Sequence, residues 1–242
     1  MKNSRILITG ASSGLGSVLF DYYAIGGARV LGVGKRQVGL LKLTHNKSYV
    51  AADLATPSGR DKALEKINDF NPNRVIHCLG GGFGLSNDLI SSIEFGDLIN
   101  LNFLVAHEIN SACTPRMSAE GSGWIVHIGS VASRECTASV GYTVVKSMIP
   151  SYVKVLGRRL IEKNIYMSAI LPGALTGSVS AMDRLEASKK HIFDDFVKNR
   201  RPSGRVTPAQ EMIPWVDLLI SNAGKLHASN SIILDEAESK AL

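Results

Sequence analysis

The sequence predicts an α/β fold: a doubly wound parallel sheet of about seven strands with helices on both faces. Three observations lead there. Apolar runs of strand length alternate with longer amphipathic stretches, the pattern of repeated β-α-β units. The first such run is followed at once by three glycines, Gly10, Gly14 and Gly16, that open a helical pattern. No repeat or linker interrupts the chain, so residues 1–242 are expected to form a single domain.

Each element has its own signal. Arg5–Thr9 (RILIT) reads as a short buried strand. After the glycines, Val18, Leu19 and Tyr22 line one side of a helix. Arg29–Val33 reads as a second strand, closed by Gly34, Lys35 and Arg36. Ser48–Ala52 is a third, ending in Asp53 and Leu54, and Gly59–Phe70 is helical with Ala63, Leu64 and Ile67 inward. Arg74–Cys78 is a fourth strand, followed by four glycines in five residues, Gly80 to Gly84. A long helical stretch is expected from about Asp88 to Met117 and carries Asn102. Trp124–Gly129 is the fifth strand. Ser139–Glu162 is the next helix; Pro150 inside it lacks the N–H that would reach the carbonyl of Lys146, so a kink or a water is expected there. Ile165–Leu171 and Ser231–Leu234 complete the strands.

Bulk properties exclude several classes. No apolar run approaches the 18 or so residues of a membrane span, and the N-terminus does not read as a signal peptide. Cys78, Cys113 and Cys136 are few, odd in number and far apart. That argues for a reducing, cytoplasmic setting, with no disulfide framework and no metal site. The net charge of +6 raises nucleic-acid binding. The densest basic cluster, Lys198 to Arg201, lacks the interleaved aromatics that stack on bases. No nucleic-acid or membrane partner is expected.

Two stretches carry chemistry. On a helix Tyr142 and Lys146 leave the same face. An ammonium held beside a phenol favours the phenolate, and a tyrosine so placed can pass a proton near neutral pH. Ser130, at the end of the fifth strand, is placed to hydrogen-bond the same substrate oxygen. The glycines between the first strand and its helix let backbone approach a pyrophosphate and aim helix N-terminal N–H groups at it. At the end of the second strand an acidic residue would hold the ribose 2′-hydroxyl of NAD. Lys35 and Arg36 stand there instead, which favours the 2′-phosphate of NADP(H) over NAD(H).

Together these stretches identify the chain as resembling the short-chain dehydrogenase/reductase family over nearly its full length. Thr9 to Gly16 (TGASSGLG) matches the family's cofactor loop, Asp53-Leu54 its adenine contact, and Pro172-Gly173-Ala174-Leu175 its nicotinamide segment. Asn102, Ser130, Tyr142 and Lys146 follow the order of its catalytic tetrad, with Asn102 and Ser130 at the usual separation of 28 residues. Gly204 to Glu211 resembles the entry to its last helix.

The resemblance implies a Rossmann-type fold and hydride transfer between nicotinamide and a ketone, aldehyde or secondary alcohol. It implies Tyr142 as general acid/base, Lys146 supporting it and holding the nicotinamide ribose, Ser130 holding the substrate oxygen, and Asn102 holding a relay water. Cofactor contacts would come from Gly10, Ser12, Ser13, Gly14, Leu15, Gly16, Lys35, Arg36, Asp53, Leu54, Gly80, Tyr142, Lys146, Pro172, Gly173, Leu175 and Thr176. It implies a homodimer or homotetramer built on the helices bearing Asn102 and Tyr142.

Four positions depart from the family pattern. His77-Cys78-Leu79-Gly80 stands where Asn-Asn-Ala-Gly is common, removing two amides. Ser130 and Tyr142 are 12 residues apart, one fewer than usual. Gly177 stands where a threonine is usual, with Thr176 one residue early. The C-terminus lacks the usual paired glycines after Leu234. The loop from Arg134 to Thr137 and the segment from Ser178 to Arg201 are polar and expected to shape the pocket. They favour a small polar, anionic or sugar-like substrate. Cys136 is expected as a small buried filler. A non-catalytic dinucleotide sensor or scaffold and an epimerase or dehydratase with internal hydride transfer are the alternatives.

Overall fold

The computed structural model describes residues 4–37, 46–136 and 138–240. Thr137, at the end of the pocket loop named above, lies outside them. The strands are β1 (Arg5–Thr9), β2 (Arg29–Gly34), β3 (Lys47–Ala51), β4 (Arg74–His77), β5 (Gly123–Ile128), β6 (Ile165–Pro172) and β9 (Ser231–Leu234). They form one seven-stranded sheet in the order β3-β2-β1-β4-β5-β6-β9. Every pairing is parallel. A second, two-stranded ladder joins β7 (Leu175–Thr176) to β8 (Thr207–Pro208). The strand order reverses between β1 and β4, and such sheets bind ligands beyond the carboxyl ends of strands at that point.

The strands are largely apolar because helices cover both faces. On one face α2 (Pro57–Phe70), α4 (Val105–Ala119) and α5 (Val140–Leu160) pack on Leu7, Val75, Ile125 and Met167. On the other, α1 (Gly14–Ile25) and α8 (Ile213–Leu219) pack on Ile6, Ile8, Ile76 and Val126. Residues 6, 7 and 8 of β1 point to alternate faces and all are fully buried, so β1 ties both halves of the core together.

The helix boundaries have local causes. Thr56 caps α2 by accepting from the Gly59 N–H, with Pro57 in the first turn. The stretch expected as helix from Asp88 to Met117 is broken up. Ser91 and Glu94 form a reciprocal capping box, which sets the start of α3 (Ser92–Ile99) at residue 92 rather than 88. A π-helical turn, Asn100–Leu104, then separates α3 from α4. By contrast α5 runs through Pro150 as one helix of 21 residues. The segment between β7 and β8 folds into α6 (Ala181–Ser188) and α7 (Lys190–Arg200).

Candidate active site

The site lies at the carboxyl ends of β1, β4, β5 and β6. Gly10 leaves β1 with a φ of 70° and Gly14 has a φ of 56°, conformations that favour glycine. A Cβ on Gly10 would lie 2.9 Å from the Leu79 nitrogen, and one on Gly16 would run into the Gly10 carbonyl. These glycines therefore let the turn, the strand and α1 approach each other. No side chain caps the start of α1. That leaves a helix N-terminus beside a glycine cradle, a setting suited to an anion. One of its N–H groups, that of Gly14, is taken by the carbonyl of Ser178 at 2.8 Å.

At the end of β2 the two cations do different things. Arg36 reaches back and donates to Ser13 Oγ at 3.0 Å. Its carbonyl accepts from the Tyr49 hydroxyl at 2.7 Å. Lys35 instead pairs with Asp53 at 2.8 Å, and its hydrogen bond holds the Asp53 carboxyl below the usual carboxylate range. Leu54, the other half of that dipeptide, is buried in the core.

Across the switch point, Asn102 sits in the π turn, a distortion often found at functional sites. Its side chain is buried and bonded to the glycine loop. Nδ2 donates to the Gly81 carbonyl at 2.9 Å and the Leu98 carbonyl at 3.0 Å. Oδ1 accepts from the Gly81 N–H at 3.1 Å. The expected water relay therefore has no amide donor left on this side chain. Gly80 is the tightest point. A Cβ there would lie 2.7 Å from Asn102 Oδ1 and 2.8 Å from Lys146 Nζ. Lys146 is buried, and its Nζ lies 5.6 Å from the centre of the Tyr142 ring. Tyr142 is half-buried and its ring lies against Gly82. Ser130 opens the short turn Val131–Ser133, and its hydroxyl accepts from the Ala132 N–H at 3.1 Å. Asn102, Lys146 and Tyr142 thus converge on the loop after β4, and Ser130 stands at the end of the adjacent β5.

The two amides absent after β4 are replaced by a different brace. His77 and His127 are paired across β4 and β5, with ring centres 4.6 Å apart. Asn110 of α4 bridges them: its Oδ1 lies 2.9 Å from His77 Nε2 and its Nδ2 3.2 Å from His127 Nε2. With the amide so oriented, His77 donates through Nε2 and His127 accepts. Tyr152 of α5 and His107 of α4 continue the network toward the surface. Burial pushes the His77 imidazole down to about 4. It also holds His127 well below the usual range, helped by the neighbouring His77 and Lys146. Both rings are therefore neutral at pH 7. The β4–β5 register that joins the two histidines, and Asn110's place between them, had no signal in the sequence.

On the far side, Pro172 ends β6, Gly173 follows, and Leu175 and Thr176 form β7. A Cβ on Gly173 would press on Arg201 and Glu238. Arg201, the last residue of the densest basic cluster in the sequence, has a fully buried side chain. It bonds Glu238, Glu236, Thr207 and the Arg205 and Asp235 carbonyls. Glu238 also accepts from the Ala174 N–H at 2.7 Å. The C-terminal stretch is thus tied to the Pro172–Thr176 segment without paired glycines. Cys136, expected as a buried filler, is exposed.

A sequence model for short chain dehydrogenases matches residues 4–189, more than three quarters of the chain. The chain belongs to the short-chain dehydrogenase/reductase family. That family comprises oxidoreductases that act on CH–OH and C=O groups with nicotinamide cofactors. Among curated relatives, the oxidoreductase YmfI of Bacillus subtilis is 25% identical over 229 residues, covering 90% of this chain and 92% of its own. Among solved structures, a 3-oxoacyl (acyl-carrier-protein) reductase from Agrobacterium tumefaciens with NADP bound superposes with a TM-score of 0.86. It is 18% identical and the match covers 97% and 94% of the two chains. A 4-hydroxyisoleucine dehydrogenase complexed with NADH gives a TM-score of 0.82 at 17% identity, covering 99% and 100%. Both share the fold of this short-chain dehydrogenase/reductase. Among the described residues no helix is long and apolar enough to cross a membrane.

Proposed function

We propose that this chain is an NADP(H)-dependent reductase of a small polar ketone or aldehyde, working also on the matching secondary alcohol, with Tyr142 as general acid/base. The observation that carries the reading is Gly80, which has no room for a side chain because Asn102 and Lys146 close on it beside Tyr142.

The glycine cradle and the uncapped start of α1 fit a dinucleotide pyrophosphate. Gly10, Ser12, Ser13, Gly14, Leu15 and Gly16 would hold it. Asp53 and Leu54 would meet the adenine, and Gly80, Tyr142, Lys146, Pro172, Gly173, Leu175 and Thr176 the nicotinamide half. Arg36 beside Ser13 offers a 2′-phosphate a guanidinium and a hydroxyl together, which supports NADP(H). The neighbours carry NADP in one case and NADH in another, so Arg36 is what favours the phosphorylated form here. Lys35 contributes less, since Asp53 already holds it.

The nicotinamide, when bound, gives or accepts the hydride. Tyr142 gives a proton to the substrate oxygen in reduction and takes it back in oxidation. The buried Lys146 ammonium, 5.6 Å from the centre of the Tyr142 ring, would support it and hold the nicotinamide ribose. The Ser130 hydroxyl holds the substrate oxygen. Asn102 fixes the Gly81 backbone, and with it the floor on which Lys146 rests. The free cysteines support a reducing, cytoplasmic setting. The exposed Leu104, Val144 and Val155 on the helices bearing Asn102 and Tyr142 support self-association there.

Turnover of NADPH across a panel of small polar ketones and aldehydes, wild type against Tyr142→Phe, tests the reading. Activity lost in the variant with NADPH binding retained is the expected result. Equal turnover by both proteins would remove Tyr142 from the chemistry.

A further inference from the structure

A second charged cleft, of about 550 Å³, opens on the same edge of the sheet but in its other half. Its walls include Glu135 and Cys136 from the loop after β5, Lys198 and Arg200 from α7, and Glu238 and Lys240 from the chain after β9. β5, β6 and β9 lie on the far side of β4 from β2. The cleft is therefore not the Arg36 corner, and a cofactor 2′-phosphate does not account for it.

Its carboxylates are already committed. Glu238 meets the buried Arg201 at 2.5 Å and accepts from Ala174. Glu135 accepts from the Lys240 backbone N–H and lies 3.7 Å from Arg200. The side chains of Glu135 and Glu238 are only 9% and 7% exposed. The cations are less committed. Arg200 Nη2 stands 3.7 and 3.8 Å from the two carboxylates, ion-pair range but beyond a hydrogen bond. Lys198 and Lys240 make no ion pair among the described residues. Arg201 is already held by Glu236 and Glu238, which leaves Lys198, Arg200 and Lys240 facing one further carboxylate, Glu135, in the lining. Such a wall is built for an anion.

The cleft also borders segments of the proposed site. Glu135 is five residues from Ser130, at most about 17 Å of extended chain and less across the intervening turn. Glu238 and Arg201 press on Gly173 and Ala174. We propose that this cleft binds the anionic tail, carboxylate or phosphoryl, of an extended carbonyl substrate. Arg200, with Lys198 and Lys240, reads the charge. The proposal rests on the carbonyl-reductase reading for what lies at the tail's other end.

Cys136 lies in the cleft wall and is exposed, whereas Cys113 is buried and Cys78 half-buried. Its alkylation, followed by peptide mass spectrometry, reports the local field without any turnover. The ratio of iodoacetate to iodoacetamide rates is expected to fall about threefold for each of Lys198→Gln, Arg200→Gln and Lys240→Gln, the size of one screened charge at about 5 Å. The two lysine variants break no ion pair among the described residues, so they test the field even if Arg200→Gln disturbs packing. Succinate or inorganic phosphate should slow iodoacetate at Cys136 more than sodium chloride of equal ionic strength. Protection by succinate alone assigns a carboxylate tail, by phosphate alone a phosphoryl tail. Unchanged ratios in all three variants, with no protection beyond the salt control, would overturn the proposal. A companion assay compares kcat/KM for a long oxo acid, 9-oxodecanoate, and its methyl ester, where Arg200→Gln should penalise only the acid. If neither turns over while the alkylation ratios fall as stated, the reductase reading fails with these ketones and the anion cleft stands.

Discussion

Replacing Asn110 with Ala should destabilise the protein far more than the loss of one polar side chain suggests. Asn110 is 1% exposed and bridges two buried imidazoles. His77 Nδ1 already lacks a partner. Removing the amide orphans Nε2 of both rings as well. Each buried polar atom left unpaired costs roughly 1–3 kcal/mol, so the pair costs about 2–6 kcal/mol. For a chain of this size each kcal/mol lowers Tm by roughly 2–4 °C, which makes a fall of at least about 4 °C. The assay is urea denaturation at pH 7.5 with Tm measured in parallel. Since β4 and β5 end in the loops that carry Gly80 and Ser130, weaker NADPH binding should accompany the loss. A change below about 1 kcal/mol would refute the reasoning, because it would mean that the network is not dry or that the histidines find other partners.

Three further outcomes are expected. Both buried imidazoles are lowered, so the unfolded chain binds protons that the native state refuses, and stability must fall as pH drops below 6.5. His77 alone accounts for about 3 kcal/mol by its value of about 4, and urea midpoints from pH 7.5 to 5 would show the slope; a flat profile would contradict neutral burial. Gly80→Ala should retain the fold but lose at least about tenfold in turnover, since its Cβ would force Asn102 and Lys146 apart; wild-type kinetics would show that the approach is relaxed in solution. Arg36→Ala should weaken NADPH roughly 10- to 100-fold, the worth of a charge-assisted hydrogen bond, and leave NADH within about twofold, whereas Lys35→Ala should do less; equal loss for both cofactors would mean that Arg36 reads something other than the phosphate.

The sheet was legible because its strands are short apolar runs bounded by turn residues. Arg5–Thr9 and Ser231–Leu234 are observed at their expected bounds, and the others differ by a residue or so at an end. The local convergence at Gly80 was partly legible: four glycines in five residues signalled a close approach without naming the partners. What was not legible depends on contacts far apart in sequence. Arg201 reads as one more cation in a basic run, and its burial needs Thr207, Glu236 and Glu238 to arrive from elsewhere. His77 and His127 meet only because β4 and β5 pair in one register. The π turn at Asn102 leaves no local composition signal, since it shifts one hydrogen-bond step inside a helical pattern. The Lys35–Asp53 pair likewise joins the ends of different strands.

The central claim is that the carboxyl edge of this sheet binds NADP(H) and presents it to a carbonyl. A side-by-side titration of the purified protein with NADPH and NADH, followed by nicotinamide fluorescence, tests it most directly. The account predicts saturable binding of both, with NADPH tighter by tenfold or more. Tighter binding of NADH would contradict the role of Arg36, and binding of neither would contradict the claim itself.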